Sequence, residues 1–180
     1  MALYEMIIAG FGGQGVMILG QLLAHAGMLE GKNVSWFPAY GPEKRGGTAH
    51  CSVVISDEEV GSPVLSSPNI VIAMNQPSYD RFGKMLSEDG LIFYNSSLFK
   101  PETNHKAYGI PANEIAEDLG SAKIANMVML GALLEKIPVV SKDTVIKTLE
   151  LKLPAKRRDM ISMNREALKK GAEYLYSIKR

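Results

Sequence analysis

Apolar residues along this chain recur in two alternating patterns. Met6-Ile7-Ile8-Ala9 is a short continuous apolar run closed by glycine, which suits a strand buried on both faces of a parallel sheet. Val16, Leu19, Leu22, Leu23 and Ala26 then repeat at helical spacing, with Gly31 as a stop. Asn33–Phe37 reads as a second strand broken by Pro38, followed by a loop over 39–47. Thr48–Ile55 looks extended, rich in β-branched residues. Ile70–Met74, Leu91–Tyr94 and, more weakly, Lys106–Ile110 are further strands. A helix from Pro77 to about Leu86 separates the first two of these.

The remainder is helical in pattern. Segments run over Ala112–Leu119, Ala122–Glu135 with Asn126 inside it, a stretch capped by Ser141 that ends near Leu151, and Asp159–Ile178. Pro138 and Pro154 fall between them. Strands alternating with helices predict a three-layer α/β/α fold with a mostly parallel sheet. Thr48–Ile55 follows the preceding strand with no helix between, so it is expected to run antiparallel and make the sheet mixed. At 180 residues the chain fits one domain, 1–180.

Composition narrows the chemistry. Hydrophobic residues make up 46% and the net charge is +1, as in an ordinary globular protein. No apolar run reaches the roughly 18 residues needed to span a bilayer, and no basic leader precedes a cleavage pattern. A cytoplasmic protein is expected, with no membrane contact. The single cysteine, Cys51, leaves no intrachain disulfide, no C-x-x-C metal spacing and no way to ligate a four-cysteine cluster alone. From Lys152 to Arg180 there are nine Lys/Arg against three Asp/Glu. Subtracting that +6 from the whole-chain charge leaves −5 for residues 1–151. The excess reads as a solvated helical face or as a docking face for an acidic partner; no nucleic-acid motif accompanies it.

Two stretches carry candidate binding chemistry. Gly10-Phe11-Gly12-Gly13-Gln14-Gly15 spells G-x-G-x-x-G between a strand and a helix. Glycines there allow a tight turn and close approach of a phosphate or another backbone, and the helix start offers unpaired N–H groups to an anion. A dinucleotide site further requires an Asp or Glu at the end of the second strand, yet that strand ends Ser35-Trp36-Phe37-Pro38. The second stretch is Tyr40-Gly41-Pro42-Glu43-Lys44-Arg45-Gly46-Gly47-Thr48, a loop with two adjacent cations; Arg45 suits a forked pair with a carboxylate or phosphate. His50 and Cys51 are adjacent, so a strand points them to opposite faces and they make no catalytic pair. Asn126, in an apolar helix, needs hydrogen-bond partners and serves either to brace a loop or to meet a ligand. No catalytic residue and no metal site is predicted.

Together these residues resemble the γ subunit of 2-oxoacid:ferredoxin oxidoreductases. Gly10-Phe11-Gly12-Gly13-Gln14-Gly15 is similar to that family's GxGGQG signature. Tyr40 to Ala49 is similar to its second signature, in which Gly-Pro-Glu precedes Arg-Gly-Gly. Ser62-Pro63, Asn126-Met127, Leu130-Gly131-Ala132, Asn164 and Ala167 extend the likeness over nearly the whole chain. The resemblance implies an α/β/α subunit of a complex that oxidatively decarboxylates a 2-oxoacid to an acyl-CoA and passes electrons to ferredoxin. It implies α, β and ferredoxin-like δ subunits as partners. Thiamine diphosphate, magnesium and iron–sulfur clusters would be held elsewhere in the complex, with none bound by this chain alone. It leaves room for a coenzyme A-receiving role for Gly10, Gly12, Gly13, Gln14, Gly15, Lys44, Arg45, Gly46, Gly47, Thr48 and Asn126. A free-standing Rossmann-type nucleotide-binding domain and an accessory subunit of an indolepyruvate-type oxidoreductase are the alternatives.

Overall fold

A computed structural model of the protein describes residues 2–40, 47–153 and 158–178. Its elements are β1 (Leu3–Phe11), α1 (Val16–Leu29), β2 (Asn33–Tyr40), β3 (Thr48–Ser56), β4 (Ile70–Ala73), α2 (Gln76–Phe82), β5 (Leu91–Asn95), β6 (Lys106–Ile110), α3 (Ala112–Asp118), α4 (Ala125–Lys136), α5 (Lys142–Lys152) and α6 (Arg158–Ile178), with short 3₁₀ turns at Gly83–Met85 and Ala122–Ile124. The strands form one sheet in the order β2-β3-β1-β4-β5-β6. β3 is antiparallel to both β2 and β1, whereas β1, β4, β5 and β6 pair in parallel. The sheet is thus mostly parallel and mixed, and the odd strand is the one that follows its predecessor without a helix.

Strand alternation divides the core in two. Met6 and Ile8 of β1, Cys51, Val53 and Ile55 of β3, Ile70 and Ile72 of β4 and Phe93 of β5 face one side. There α1, α3, α4, α5 and α6 cover them with Leu19, Leu23, Met127, Leu130, Leu133 and Leu168. Ile7, Ala9, Val54, Val71 and Ile92 face the other side, against Phe82 of α2, Leu86 and Leu65, with Val60, Tyr79 and Met85 half-buried around them. The second helical layer is therefore thin, and it lies over β1, β4 and β5 rather than over β2.

Two elements depart from the sequence pattern. β2 continues through Pro38 to Tyr40, with Pro38 opposite Cys51. β2 is an edge strand, so a residue without an N–H leaves no ladder bond unmade on its outer side. The helix expected to reach Leu86 ends at Phe82 and tightens into the Gly83–Met85 turn. The capping expectation holds: Ser141 accepts from the Thr144 N–H at 3.1 Å. α4 and α6 cross closely enough that a Cβ on Gly131 would overlap the Leu168 carbonyl, and one on Gly171 the Val128 carbonyl.

Candidate functional site

The chain leaves β1 through α1 toward β2 on one side of the sheet. It leaves β4 through α2 toward β5 on the other side and on the opposite face. The two winding directions part between β1 and β4. In open α/β sheets the crevice beyond the carboxyl ends of such a strand pair is where ligands bind. A crevice of ≈ 220 Å³ lies at this edge, lined by Gly13, Gln14, Met74, Asn113, Lys123 and Ala125 among others. The glycine turn predicted from sequence forms one wall of it.

The turn is held from inside. Gly13 and Gly15 have φ of +95° and +74°, which disfavours any side chain. The Gln14 side chain folds back into the loop it belongs to. Its Oε1 accepts from the Phe11 N–H at 2.7 Å and from Asn75 Nδ2 at 2.8 Å. Its Nε2 donates to the Met74 carbonyl at 3.3 Å. Gly10 lies beneath, where a Cβ would come within 2.8 Å of Gln14 Oε1 and 3.0 Å of Met74 Cβ. Asn126 Nδ2 donates to the Gly15 carbonyl at 3.1 Å, tying the start of α4 to the start of α1. The Gly12 N–H donates to the Gly47 carbonyl at 3.1 Å, joining the two glycine-rich segments.

The outer face differs. Among the described residues nothing lies within 4 Å of where a Cβ would stand on Gly12 or Gly13, and both residues are exposed. α1 starts without a side-chain cap and without an acidic residue in its first turn. Among the described residues its leading N–H groups therefore have no side-chain partner, and none of them compensates the positive end of the helix dipole. Lys123, exposed and in no ion pair among the described residues, supplies the cation beside them.

Three further amides complete this edge. Asn75 Oδ1 accepts from the Ser78 N–H at 3.0 Å and caps α2. Asn95 Nδ2 donates to Asn113 Oδ1 at 2.8 Å and to the Met74 carbonyl at 3.4 Å. Sequence reading missed Asn75, Asn95, Asn113 and Lys123. For Asn75 the signal was present, since an Asn two residues before a proline marks a helix start; for the others nothing local distinguishes them.

The predicted site residues therefore separate. Gly10, Gln14, Gly15 and Asn126 serve the interior of the turn, and Asn126 acts as its brace. Gly12 and Gly13 face outward. Gly47 and Thr48 adjoin them, with Thr48 opposite Phe11 in the β1–β3 pairing. Lys44, Arg45 and Gly46 lie outside the described residues. His50 and Cys51 point apart: Cys51 packs in the main core beside α1, where burial pushes its thiol up to about 12. His50 packs on Phe82, ring centroids 4.6 Å apart. Its pKa is lowered by burial and then by the charge of Arg81. Among the described residues no three His, Cys, Asp or Glu side chains are grouped to hold a metal, and no described helix is long and apolar enough to cross a membrane. The arrangement offers backbone donors and one cation to an anion or to a close-approaching backbone.

The topology argues against a dinucleotide. In the sheet β3 separates β1 from β2, so the end of β2 stands two strand spacings, about 10 Å, from the glycine turn. The residue at that end is Tyr40, not an acid.

Comparison with known proteins follows the same lines. The sequence model described as pyruvate ferredoxin/flavodoxin oxidoreductase matches residues 5–174. The chain is 43% identical over 169 residues to ketoisovalerate oxidoreductase subunit VorA of Methanothermobacter thermautotrophicus, covering 93% of this chain and 35% of that one. It thus spans about a third of that relative's length. The crystal structure of the keto/oxoacid ferredoxin oxidoreductase gamma subunit of Geobacter sulfurreducens superposes with a TM-score of 0.81 at 30% identity, covering 97% of this chain and 99% of that one. The 2-oxoglutarate:ferredoxin oxidoreductase of Magnetococcus marinus with 2-oxoglutarate, coenzyme A and succinyl-CoA bound superposes with a TM-score of 0.91 at 26% identity, covering 98% of this chain and 32% of that one.

Proposed function

This chain belongs to the pyruvate ferredoxin/flavodoxin oxidoreductase family, and on that premise we propose that it works as the γ subunit of a multi-subunit 2-oxoacid:ferredoxin oxidoreductase. The observation that carries the reading is the end-to-end correspondence with a chain that is itself a gamma subunit. The residues agree with a supporting role. A cysteine buried in the core with its thiol near 12 is no cluster ligand. The complex would hold thiamine diphosphate, magnesium and iron–sulfur clusters on its α, β and ferredoxin-like δ subunits and pass electrons to ferredoxin. This chain makes and breaks no bond of the substrate.

Within that complex the outward side of the glycine turn receives coenzyme A. Phosphate groups match what this edge offers: open backbone at Gly12 and Gly13, the uncapped start of α1, and Lys123. Lys44 and Arg45 would add two cations from the second signature. The relative from Magnetococcus marinus, which holds coenzyme A, supports the assignment. The subunit reading is tested by co-expressing the chain with its companion subunits and assaying 2-oxoacid-dependent reduction of a viologen. Activity from the companions alone, undiminished when this chain is left out, refutes it. The coenzyme A reading is tested by calorimetric titration of coenzyme A into the assembled complex. A Lys44→Ala, Arg45→Ala double variant is expected to bind at least tenfold more weakly, and unchanged affinity refutes that part.

A further inference from the structure

The mostly parallel sheet is covered unequally. Its second face carries α2 over β1, β4 and β5 and the 57–67 loop over the foot of β1 and β3. No described element lies over β2 there. Register places Ser35 beside Val54 and Glu5, and Phe37 beside Ser52 and Ile7, all on that face. An antiparallel margin tolerates a wet face when the face is polar. Here Phe37 is 47% exposed and Leu3 50%, and Val64 in the adjoining loop is 66% exposed. The neighbouring Ser35, Ser52 and Ser56 are small. Between this floor and the loop runs a groove of ≈ 490 Å³, with Leu3, Val54 and Val64 in its lining. Glu5, Glu58 and Glu59 also line it, and among the described residues no lysine or arginine does.

The geometry points to this open half-layer as the seat of an amphipathic helix from another subunit of the complex, with an apolar stripe over Phe37 and Leu3 and lysine or arginine along the flank facing Glu58 and Glu59. The inference rests on the subunit reading above and names a surface for it. A helix is the element that completes an α/β layer over a sheet face, whereas a strand would add at an edge. The carboxylates select a basic flank by charge complementarity. In VorA the matched unit is a third of a longer chain, so further sequence is tethered to this fold there. A second copy fits poorly. Among the described residues its basic helix is α6, whose Arg165, Lys169 and Lys170 already pair with Glu150 and Glu173. Such a contact would join unlike surfaces head to tail rather than pair one surface with itself as in a two-fold dimer.

The test uses the full chain with the other subunits of its complex, read by affinity and by hydrogen exchange. Residues 33–39 and 57–66 should gain protection on assembly. Phe37→Asp should weaken assembly at least tenfold. Glu58→Lys with Glu59→Lys, on an exposed loop, should weaken it tenfold at low salt and much less at high salt, with the variant's circular dichroism unchanged. If the wild type assembles while both variants bind as tightly and these segments stay unprotected, the surface is wrong and the subunit reading stands. If the wild type fails to assemble, the subunit reading itself falls. If the isolated chain dimerises in sedimentation and Phe37→Asp abolishes it, the occupant is a second copy and the inference is overturned.

Discussion

Replacing Gly15 by alanine tests whether the glycine turn is held together by its inner partners. Gly15 sits at φ +74°, ψ +19° as the residue before α1. A side chain there costs about 1–2 kcal/mol in left-handed strain. Space adds a second penalty: the new Cβ would lie 2.8 Å from Asn126 Cγ and 3.2 Å from its Cβ, overlapping the amide nitrogen. Asn126 is buried within α4 and must swing off the Gly15 carbonyl. The lost bond and the stranded amide cost about 1–3 kcal/mol more. The sum is about 2–5 kcal/mol, or a fall in Tm of roughly 5–20 °C for a chain of this length. Urea denaturation of four proteins checks it: wild type, Gly15→Ala, Asn126→Ala and the double variant. In the Asn126→Ala background the Gly15 change should cost only the strain, so the cycle should show about 2 kcal/mol of coupling. Coupling below about 0.5 kcal/mol would refute the brace. Gly12→Ala is the control: with nothing among the described residues within 4 Å and no positive φ, it should leave stability within about 0.5 kcal/mol of wild type.

Three other measurements probe separate parts of the molecule. Gly171→Ala forces a methyl into the Val128 carbonyl, a rigid neighbour, and should lower stability by about 3 kcal/mol. Adding Gly131→Ala at the same crossing should cost less than it does alone, because the helices have already parted; strict additivity of the two would show that they do not share one contact. Cys51, fully buried with its thiol raised to about 12, should resist Ellman's reagent at pH 8 in the native protein and react at once in denaturant; rapid native labelling would contradict its packing. His50 has its folded pKa below the ordinary histidine value of about 6.5, so the unfolded chain binds more protons just below that pH. Its contribution is fully present above about pH 6.5 and is lost as the pH falls. The loss of stability between pH 7.5 and pH 5 should shrink in His50→Gln, and an unchanged slope would exclude His50 as its source.

Much of the layout was readable because periodicity reports burial. Met6 to Ala9 is apolar at every position, and β1 is covered on both faces there. The direction of β3 followed from connection length, since the segment between β2 and β3 is too short to carry a parallel crossover. What sequence could not show is long-range. Pro38 reads as a breaker because its tolerance depends on β2 standing at the sheet edge, a fact set by pairing. Asn95 and Asn113 carry no local signal, since their bond to one another joins β5 to α3 across 18 positions. The glycines of the turn were legible as a group but not by role. Only packing separates Gly10 and Gly15, crowded by Gln14 and Asn126, from Gly12 and Gly13, which meet open space.

That division of roles says why this turn keeps the G-x-G-x-x-G spelling while lacking a dinucleotide's other requirements. In a dinucleotide fold the adjacent parallel strand brings an acid to the ribose. Here an antiparallel strand takes that place and moves β2 out of reach. The crevice instead gains an amide lattice: Gln14 to Asn75, Asn95 to Asn113, and Asn126 to Gly15, with Met74 taking two of the bonds. Side-chain amides carry no charge, so this lattice fixes the backbone without neutralising an incoming anion or repelling it. Its donors and acceptors are largely spent on one another, and the Gly12 N–H is spent on the Gly47 carbonyl, which leaves the backbone of Gly13 and the cation of Lys123 among the described groups turned outward. On the proposed reading, such a rigid, uncharged frame would accept a phosphate without rearranging, so binding would forgo little of its energy to ordering. The same stiffness makes the site intolerant of change inside and permissive of it outside, and the contrast between Gly15→Ala and Gly12→Ala measures that asymmetry.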